Sequence, residues 1–286
     1  MKRLFTLLLC TAPALLQAQV KTLNQAIINT TTTIVAPEDD ESAPLQTTTT
    51  SADGGEVRVM RFGGDGETKT TTWLKNDLVK TFSDNDMGRS TLIRDNSKKI
   101  TTTIMEMMGR KSGFYATDEE QEVMRKRMDS MMRANPNVNM NQPAGNAVKS
   151  TEMILLDEEK KIAGFNTKKA LLVSLRVNGK SDTTTVWYST DFKLQGLNNT
   201  GGAGGGFAGL GQQAAAGMEL LPGFPLQYER TMNRGRKMTV KVTKIAIDKD
   251  VADKEFELPK DIEIKSMKDM QTGMPGGPQM QFRFGG

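Results

Sequence analysis

ALLVSLRVNGKSDTTTVWYS, residues Ala170–Ser189, decides the fold class. Leu171, Val173, Leu175 and Val177 alternate with Leu172, Ser174 and Arg176, the period-two pattern of a half-buried strand. Asn178-Gly179 is the strongest short-range hairpin signal, and the chain returns through Thr183 to Ser189. Two antiparallel strands and a tight turn are expected, and the flanking sequence repeats the theme.

On the N-terminal side, strand signals fall at Glu56 to Phe62, Thr68 to Lys75, Leu78 to Phe82, Ser90 to Arg94 and Ile100 to Met108. Turn residues separate them at Gly63 to Gly66, Asn76-Asp77, Asp84 to Asp86 and Asp95 to Ser97. Short β-branched runs broken this regularly describe an antiparallel meander. The spacers are too short for the crossover helix of a βαβ unit. Ala26 to Val35 reads as a first strand, and the remainder of residues 19–55, with Pro37, Glu38 to Glu41 and Pro44, as a Thr-rich solvated loop. Thr runs at 31–33, 70–72, 101–103 and 183–185 suit strands because Thr tolerates either face of a half-buried sheet.

On the C-terminal side, Glu152 to Leu156 leads through Asp157 to Lys160 toward the Ala170 strand. Pro225 to Met232 and Lys237 to Ile247 form a further pair around Asn233-Arg234-Gly235. Met238, Val240 and Val242 share one face of the last strand while Ile245 and Ile247 fall on the other, so a β-bulge is expected near Thr243-Lys244. Gly201 to Gly217 is a glycine and alanine loop, and residues 267–286, rich in Met, Gly, Pro and Gln, read as a disordered tail.

One helix is expected over residues 117–133. Thr117 and Glu120 form a capping box, Asp118 and Glu119 suit the positive helix N-terminus, and Val123, Met124, Met128, Met131 and Met132 recur on one face. It should stop near Asn135-Pro136, before a linker from Asn137 to Ala147.

Residues 1–18 carry Lys2-Arg3, an apolar run from Leu4 to Leu16 and a small residue at Ala18, the pattern of a cleaved secretory signal peptide. The run is about thirteen residues, short of the roughly twenty a membrane helix needs, so no transmembrane anchor is expected. Export to the periplasm or to an outer-membrane-associated site follows. Leu7-Leu8-Leu9 precedes Cys10, whereas lipid attachment there would call for a small residue before the cysteine. Cys10 is the sole cysteine and histidine is absent, so cleavage leaves a chain without either side chain. It also removes two of the 38 basic residues against 34 acidic, lowering the net charge from +4 to +2. Charges alternate in sign along the chain, unlike the basic face of a nucleic-acid binder.

Chemistry is sparse. Gly204 to Gly209 matches G-x-G-x-x-G but sits in a low-complexity loop rather than between a strand and a helix, so it is no dinucleotide fingerprint. No catalytic pair is identifiable, and the chain is expected to be non-enzymatic with no cofactor. The 19 methionines include Met105-Glu106-Met107-Met108, whose thioethers suit Cu(I), but their spacing is that of core packing and of a solvated tail. An apolar ligand cavity between a curved sheet and the helix is the alternative to ordinary packing for Trp73, Phe82, Leu171, Val173, Leu175, Trp187, Phe224, Tyr228, Met124, Met128 and Met131.

Ser90-Thr91-Leu92-Ile93-Arg94-Asp95 followed by Met105 to Met108, the Lys161-Ile162-Ala163-Gly164-Phe165 block with Val186-Trp187-Tyr188, Gly223-Phe224-Pro225-Leu226, and Val242-Thr243-Lys244-Ile245 with Phe256-Glu257-Leu258-Pro259 carry a family resemblance. In this order they are similar to the exported DUF4412 family of Bacteroidota, itself similar to the GLPGLI proteins and more distantly to LolA, LolB and LppX-like carriers. The resemblance spans about Glu56 to Met267. Phe224-Pro225 departs from the GLPGLI signature, and Asp261-Ile262 from the family's glycine and aromatic. It implies a mainly β (α+β) fold: a strongly curved antiparallel sheet or half-open, LolA-like barrel over residues 56–266, closed by the one helix. By analogy it implies a lipid or lipidated peptide as ligand. The competing expectation is a structural or partner-binding envelope protein whose barrel is filled by its own side chains.

Overall fold

A computed structural model describes residues 20–37, 46–50, 56–60, 66–86, 88–107, 109–134, 148–195, 197, 217–232, 235–247 and 249–272. The expected signal segment, the 137–147 linker, nearly all of the glycine loop with its G-x-G-x-x-G match, and the tail beyond Thr272 lie outside the described residues.

Sixteen strands are present among these residues. They are β1 (Lys21–Leu23), β2 (Gln25–Val35), β3 (Gln46–Thr50), β4 (Glu56–Met60), β5 (Gly66–Lys75), β6 (Leu78–Asn85), β7 (Gly88–Asp95), β8 (Ile100–Met107), β9 (Arg110–Thr117), β10 (Val148–Ile162), β11 (Phe165–Arg176), β12 (Ser181–Ser189), β13 (Phe192–Leu194), β14 (Phe224–Thr231), β15 (Lys237–Ala246) and β16 (Ile264–Ser266). Two helices, α1 (Asp118–Ala134) and α2 (Met267–Thr272), complete them. Twelve strands form one sheet in the order β10-β11-β12-β14-β15-β2-β5-β6-β7-β8-β9-β16, while β1 with β13 and β3 with β4 form separate pairs.

The mainly β expectation holds, but the sheet is not wholly antiparallel. The sheet ends at β10 on one side and β16 on the other and is not closed into a barrel. It is mixed, because β16 returns parallel to β9. Nor does α1 cover the sheet. It follows directly from β9, its main neighbour among the described elements, and its Val123 is 67% exposed. Glu122, Arg125, Lys126 and Arg127 put charge around Met124, which is half-buried, along the described side chains of the helix.

The quoted hairpin forms. Leu175 pairs with Ser181, and the Gly179 amide donates to the Arg176 carbonyl at 3.0 Å. Gly179 takes a left-handed φ of 80°, so the loop is a three-residue turn with glycine at the bulge position rather than the two-residue type. The expected bulge in β15 also exists: the register with β2 shifts between Val242 and Lys244, which restores Ile245 to the side of Ile28. The acidic Asp157 to Lys160 run is a bulge inside the long edge strand β10, and the hairpin to β11 turns at Ala163-Gly164 instead. Charge there guards an edge rather than making a turn.

Register fixes the two faces of the sheet. Ala170, Val186, Tyr228, Val240 and Thr32 stand opposite one another across five strands, and Ala26, Leu74, Val79, Arg94, Thr101 and Ala116 form a second row. Alternation along β2 puts both rows on one face. Ala170, Leu172, Val186, Tyr228, Met238 and Val240 form one core cluster there, closed by Leu221. A second cluster joins Ala26, Ile28, Leu74 and Val79 to Phe192 and Phe224, whose rings stack at 5.3 Å. The Thr runs serve this face: Thr70 reaches Ser83 at 3.3 Å and Thr72 reaches Thr81 at 3.5 Å, so buried hydroxyls pair across strands.

Arg94 ties helix to sheet. Buried at 6% exposure, its guanidinium donates to Asn96 at 3.0 Å, to Thr101 at 3.2 Å and to both carboxylate oxygens of Asp118. The capping box closes reciprocally one residue away, Thr117 N–H to Glu120 at 2.9 Å and Glu120 N–H to Thr117 at 3.2 Å. The hydrogen bonds and charge of Arg94 hold the Asp118 carboxyl below its usual range.

Leu172→Ala should destabilise the protein by about 2–5 kcal/mol, whereas Leu175→Ala, 37% exposed, should cost no more than about 0.5 kcal/mol; urea unfolding measures both. Because the Asp118 pKa is depressed in the folded state, its contribution is complete above the unfolded value, near about 4, and is lost as pH falls through the folded value. Asp118→Asn should therefore be less stable than the parent at neutral pH and show a shallower loss of stability as pH falls below about 4 in acid titration.

Candidate functional site

The opposite face of the sheet is laid out in rows. Asp84, Arg89, Glu106 and Lys111 stand side by side on β6 to β9, giving alternating charge. The next row is Phe82, Thr91, Ile104 and Gly113, and the third is Lys80, Ile93, Thr102 and Tyr115. Over these rows runs residues 249–263, a strap that buries Val251 and Phe256 and then enters β16.

Three contacts hold the strap. Lys75 Nζ donates to Asp253 at 2.8 Å and lies 3.8 Å from Asp250. Lys111 Nζ donates to Asp261 at 3.2 Å, which holds the Asp261 carboxyl below its ordinary range. Gly113 supplies the third, because a Cβ there would stand 2.4 Å from Ile264 Cδ1 and 3.5 Å from Ile262 Cγ2. Past the strap, Lys268 of α2 meets Glu120 of α1 at 3.0 Å.

Between strap and sheet lies a cavity of about 280 Å³. Phe82, Thr91, Ile93 and Ile104 floor it, Pro259 and Ile262 roof it, and Lys80, Arg89, Glu106, Lys111 and Glu257 rim it. Arg89 leans on Asp84 at 3.6 Å, and Lys80 lies 5.1 Å from the Trp73 ring centre. The rim thus carries charge of both signs, three basic and two acidic side chains, while floor and roof are apolar apart from Thr91. Among the described residues no group of three or more acidic, His or Cys side chains could hold a metal ion.

Of the nine expected cavity residues whose side chains are described, Phe82 lines this cavity. Trp73 stands in the neighbouring row. Leu171, Val173, Leu175 and Trp187 occupy the same face of the sheet, but beyond β14, β15, β2 and β5. Trp187 is buried beneath the Lys160 ammonium at 4.0 Å, with Lys169 at 5.6 Å. Burial lowers the Lys160 pKa, and its ammonium donates to Gln227 at 3.0 Å. Phe224 and Tyr228 are core residues, and burial pushes the Tyr228 hydroxyl pKa up. Met124 lies half-buried on α1, and the side chains of Met128 and Met131 lie outside the described residues. The residues missed by sequence, Ile93, Ile104, Pro259 and Ile262, carried a faint signal. Apolar residues spaced through the segment after Phe256 need a surface to cover.

No protein family profile and no curated protein matches the chain. Among solved structures it is similar to PNGF-II in the C2 and P21 space groups, each at 17% identity. The likeness covers 87% and 86% of this chain and 32% and 33% of those chains, at TM-scores of 0.35 and 0.32. The chain spans about a third of the length of these solved proteins, and a likeness that low carries no conclusion about chemistry.

Gly113 gives a graded test of the strap. Gly113→Ala needs only the end of the Ile264 side chain to turn aside and should be tolerated, whereas Gly113→Val should lift residues 259–266 from β9 and destabilise by about 1–3 kcal/mol. Hydrogen exchange should show faster exchange confined to that segment in the valine variant.

Proposed function

We propose that this chain is an exported, non-enzymatic envelope protein that holds an apolar ligand, the acyl chain of a lipid or lipidated peptide, in the cavity beneath the strap. The observation that supports it is the cavity itself: a mostly apolar floor and roof inside a rim of mixed charge. The site differs from the one expected from sequence, the space between sheet and helix. Size sets the ligand class. At about 30 Å³ for each water-sized group, 280 Å³ accepts roughly nine methylene-sized groups, one chain segment rather than a whole two-chain lipid. At roughly 0.8 kcal/mol for each buried methylene, affinity is capped near the micromolar range.

The signal-like residues 1–18 and the resemblance to the DUF4412 family support the export half of the proposal. Among the described residues no helix is long and apolar enough to cross a membrane. A specific observation favours the structural, self-filled reading as the alternative: on the core face Tyr228, Phe192, Leu172 and Leu226 are all almost completely buried by their own neighbours.

Organic extraction and mass spectrometry of protein purified from the cell envelope should recover an acyl compound, and a fluorescent medium-chain fatty acid should bind. Ile104→Trp, which fills the floor, should weaken that binding by at least about tenfold while leaving the circular dichroism unchanged. Repeated recovery of empty protein that ignores the probe would sink the ligand reading and leave the self-filled one. Sequencing the exported protein checks the other half, with Gln19 expected as its first residue.

A further inference from the structure

The two edges of the twelve-stranded sheet are treated differently. One is closed by the three-residue β16, but β10 runs for 15 residues along the other and, among the described residues, pairs only with β11. In an antiparallel ladder every second residue turns its N–H and C=O away from the neighbour, so β10 presents a row of such groups outward. Its C-terminal half is guarded by the bulge between Leu156 and Glu159 and by the charges of Asp157 to Lys161. Its N-terminal half, Ser150 to Leu156, follows a second register shift between Val148 and Ser150 but carries a single charge, Glu152, beside an apolar run. There Ile154 is 41% and Leu155 57% exposed, apolar side chains that a closed monomer edge does not need.

The charges on β10 say what fits against it. If a second copy adds antiparallel about a two-fold axis, each residue meets a partner at mirrored sequence distance. Centred on Leu155, Lys149 would face Lys161 and Glu152 would face Glu158, a register opposed by repulsion. Centred on Met153 or Ile154, the apolar run from Met153 to Leu156 gathers at the axis, and Lys149 of each copy meets the acidic Asp157 to Glu159 bulge of the other, twice. From this pattern we infer that β10 is a self-association edge, on which two copies of this chain join through their Ser150 to Leu156 segments into one continuous sheet. The bulge that guards the edge against other strands supplies the complementary charge for this one. Contact limited to one strand pair and its flanking side chains gives a weak, reversible dimer.

Sedimentation equilibrium of protein purified from the envelope, over roughly 1 to 200 μM, should show a reversible dimer with a micromolar dissociation constant. Ile154→Lys, an exposed change that leaves the fold intact by circular dichroism, should abolish it. Lys149→Glu, and separately reversal of the bulge by Asp157→Lys, Glu158→Lys and Glu159→Lys, should each weaken it about tenfold at low salt. Combining all four changes should restore dimerisation to within about twofold, since each copy then carries both reversed partners. A chain that stays monomeric at the highest concentration, a dimer indifferent to Ile154→Lys, or a combined variant weakened by both changes together would each overturn the inference.

Discussion

Everything in this molecule hangs on strand β2. It pairs with β15 on one side and β5 on the other, and removing it would leave a five-stranded sheet, β10 to β15, and a six-stranded one, β5 to β9 with β16. Ala26 and Ile28, which carry the pairing through the centre, have no exposed surface. The bulge after Val242 is the local device that makes the join possible, because without it Ile245 would face away from Ile28. A contact of long sequence separation therefore sets the architecture. It brings the N-terminal strand and β15, some two hundred residues later, into one ladder.

From that join follows an unusual division of burial. On the β10 to β2 side the sheet buries one face beneath Leu221 and the β1–β13 pair, and the opposite face only locally, at Thr167, Trp187 and Gln227. On the β6 to β9 side it also buries the opposite face, beneath the strap. Ile93 and Arg94, neighbours on β7 and so on opposite faces, are both below 9% exposed. A strand buried on both sides has to hold its polar groups in pairs. Arg94 does so with Asn96, Thr101 and Asp118, and the Thr and Ser pairs of β5 and β6 do the same at lower cost. The cavity sits where the strap, constrained by Gly113 at one end and Lys75 at the other, bridges over Ile104 rather than settling on it.

The parts legible in the sequence were those fixed by short-range physics. The Asn178-Gly179 hairpin, the meander from Gly66 to Met107, the Thr117 to Glu120 cap and the bulge near Thr243 each follow from residues a few positions apart. Where reading failed, a nearby pattern had a distant cause. The acidic run at Asp157 lay beyond the strand expected to end at Leu156, and only pairing with β11 shows that the strand continues through it as a bulge. The Met stripe of α1 suggested a buried face, yet Val123 on it is exposed and the main described neighbour of the helix is β9. Aromatic residues pointed to strands correctly, yet strand order put Trp187 and Phe82 far apart on one face and sent Tyr228 to the other.

By itself, the sequence determined the mainly β character, most hairpins, the helix and its cap, and the absence of His and, after the expected cleavage, of Cys. These are matters of periodicity, turn chemistry and composition, all local. Tertiary structure alone decided that the sheet stays open, that β16 returns parallel to make it mixed, that the strap rather than the helix encloses a cavity, and that, among the described residues, β10 is the long outer strand. Each of these depends on which strands become neighbours across large sequence distances. A half-buried strand carries the same alternating pattern whichever neighbour it finds, so its own residues do not specify that choice.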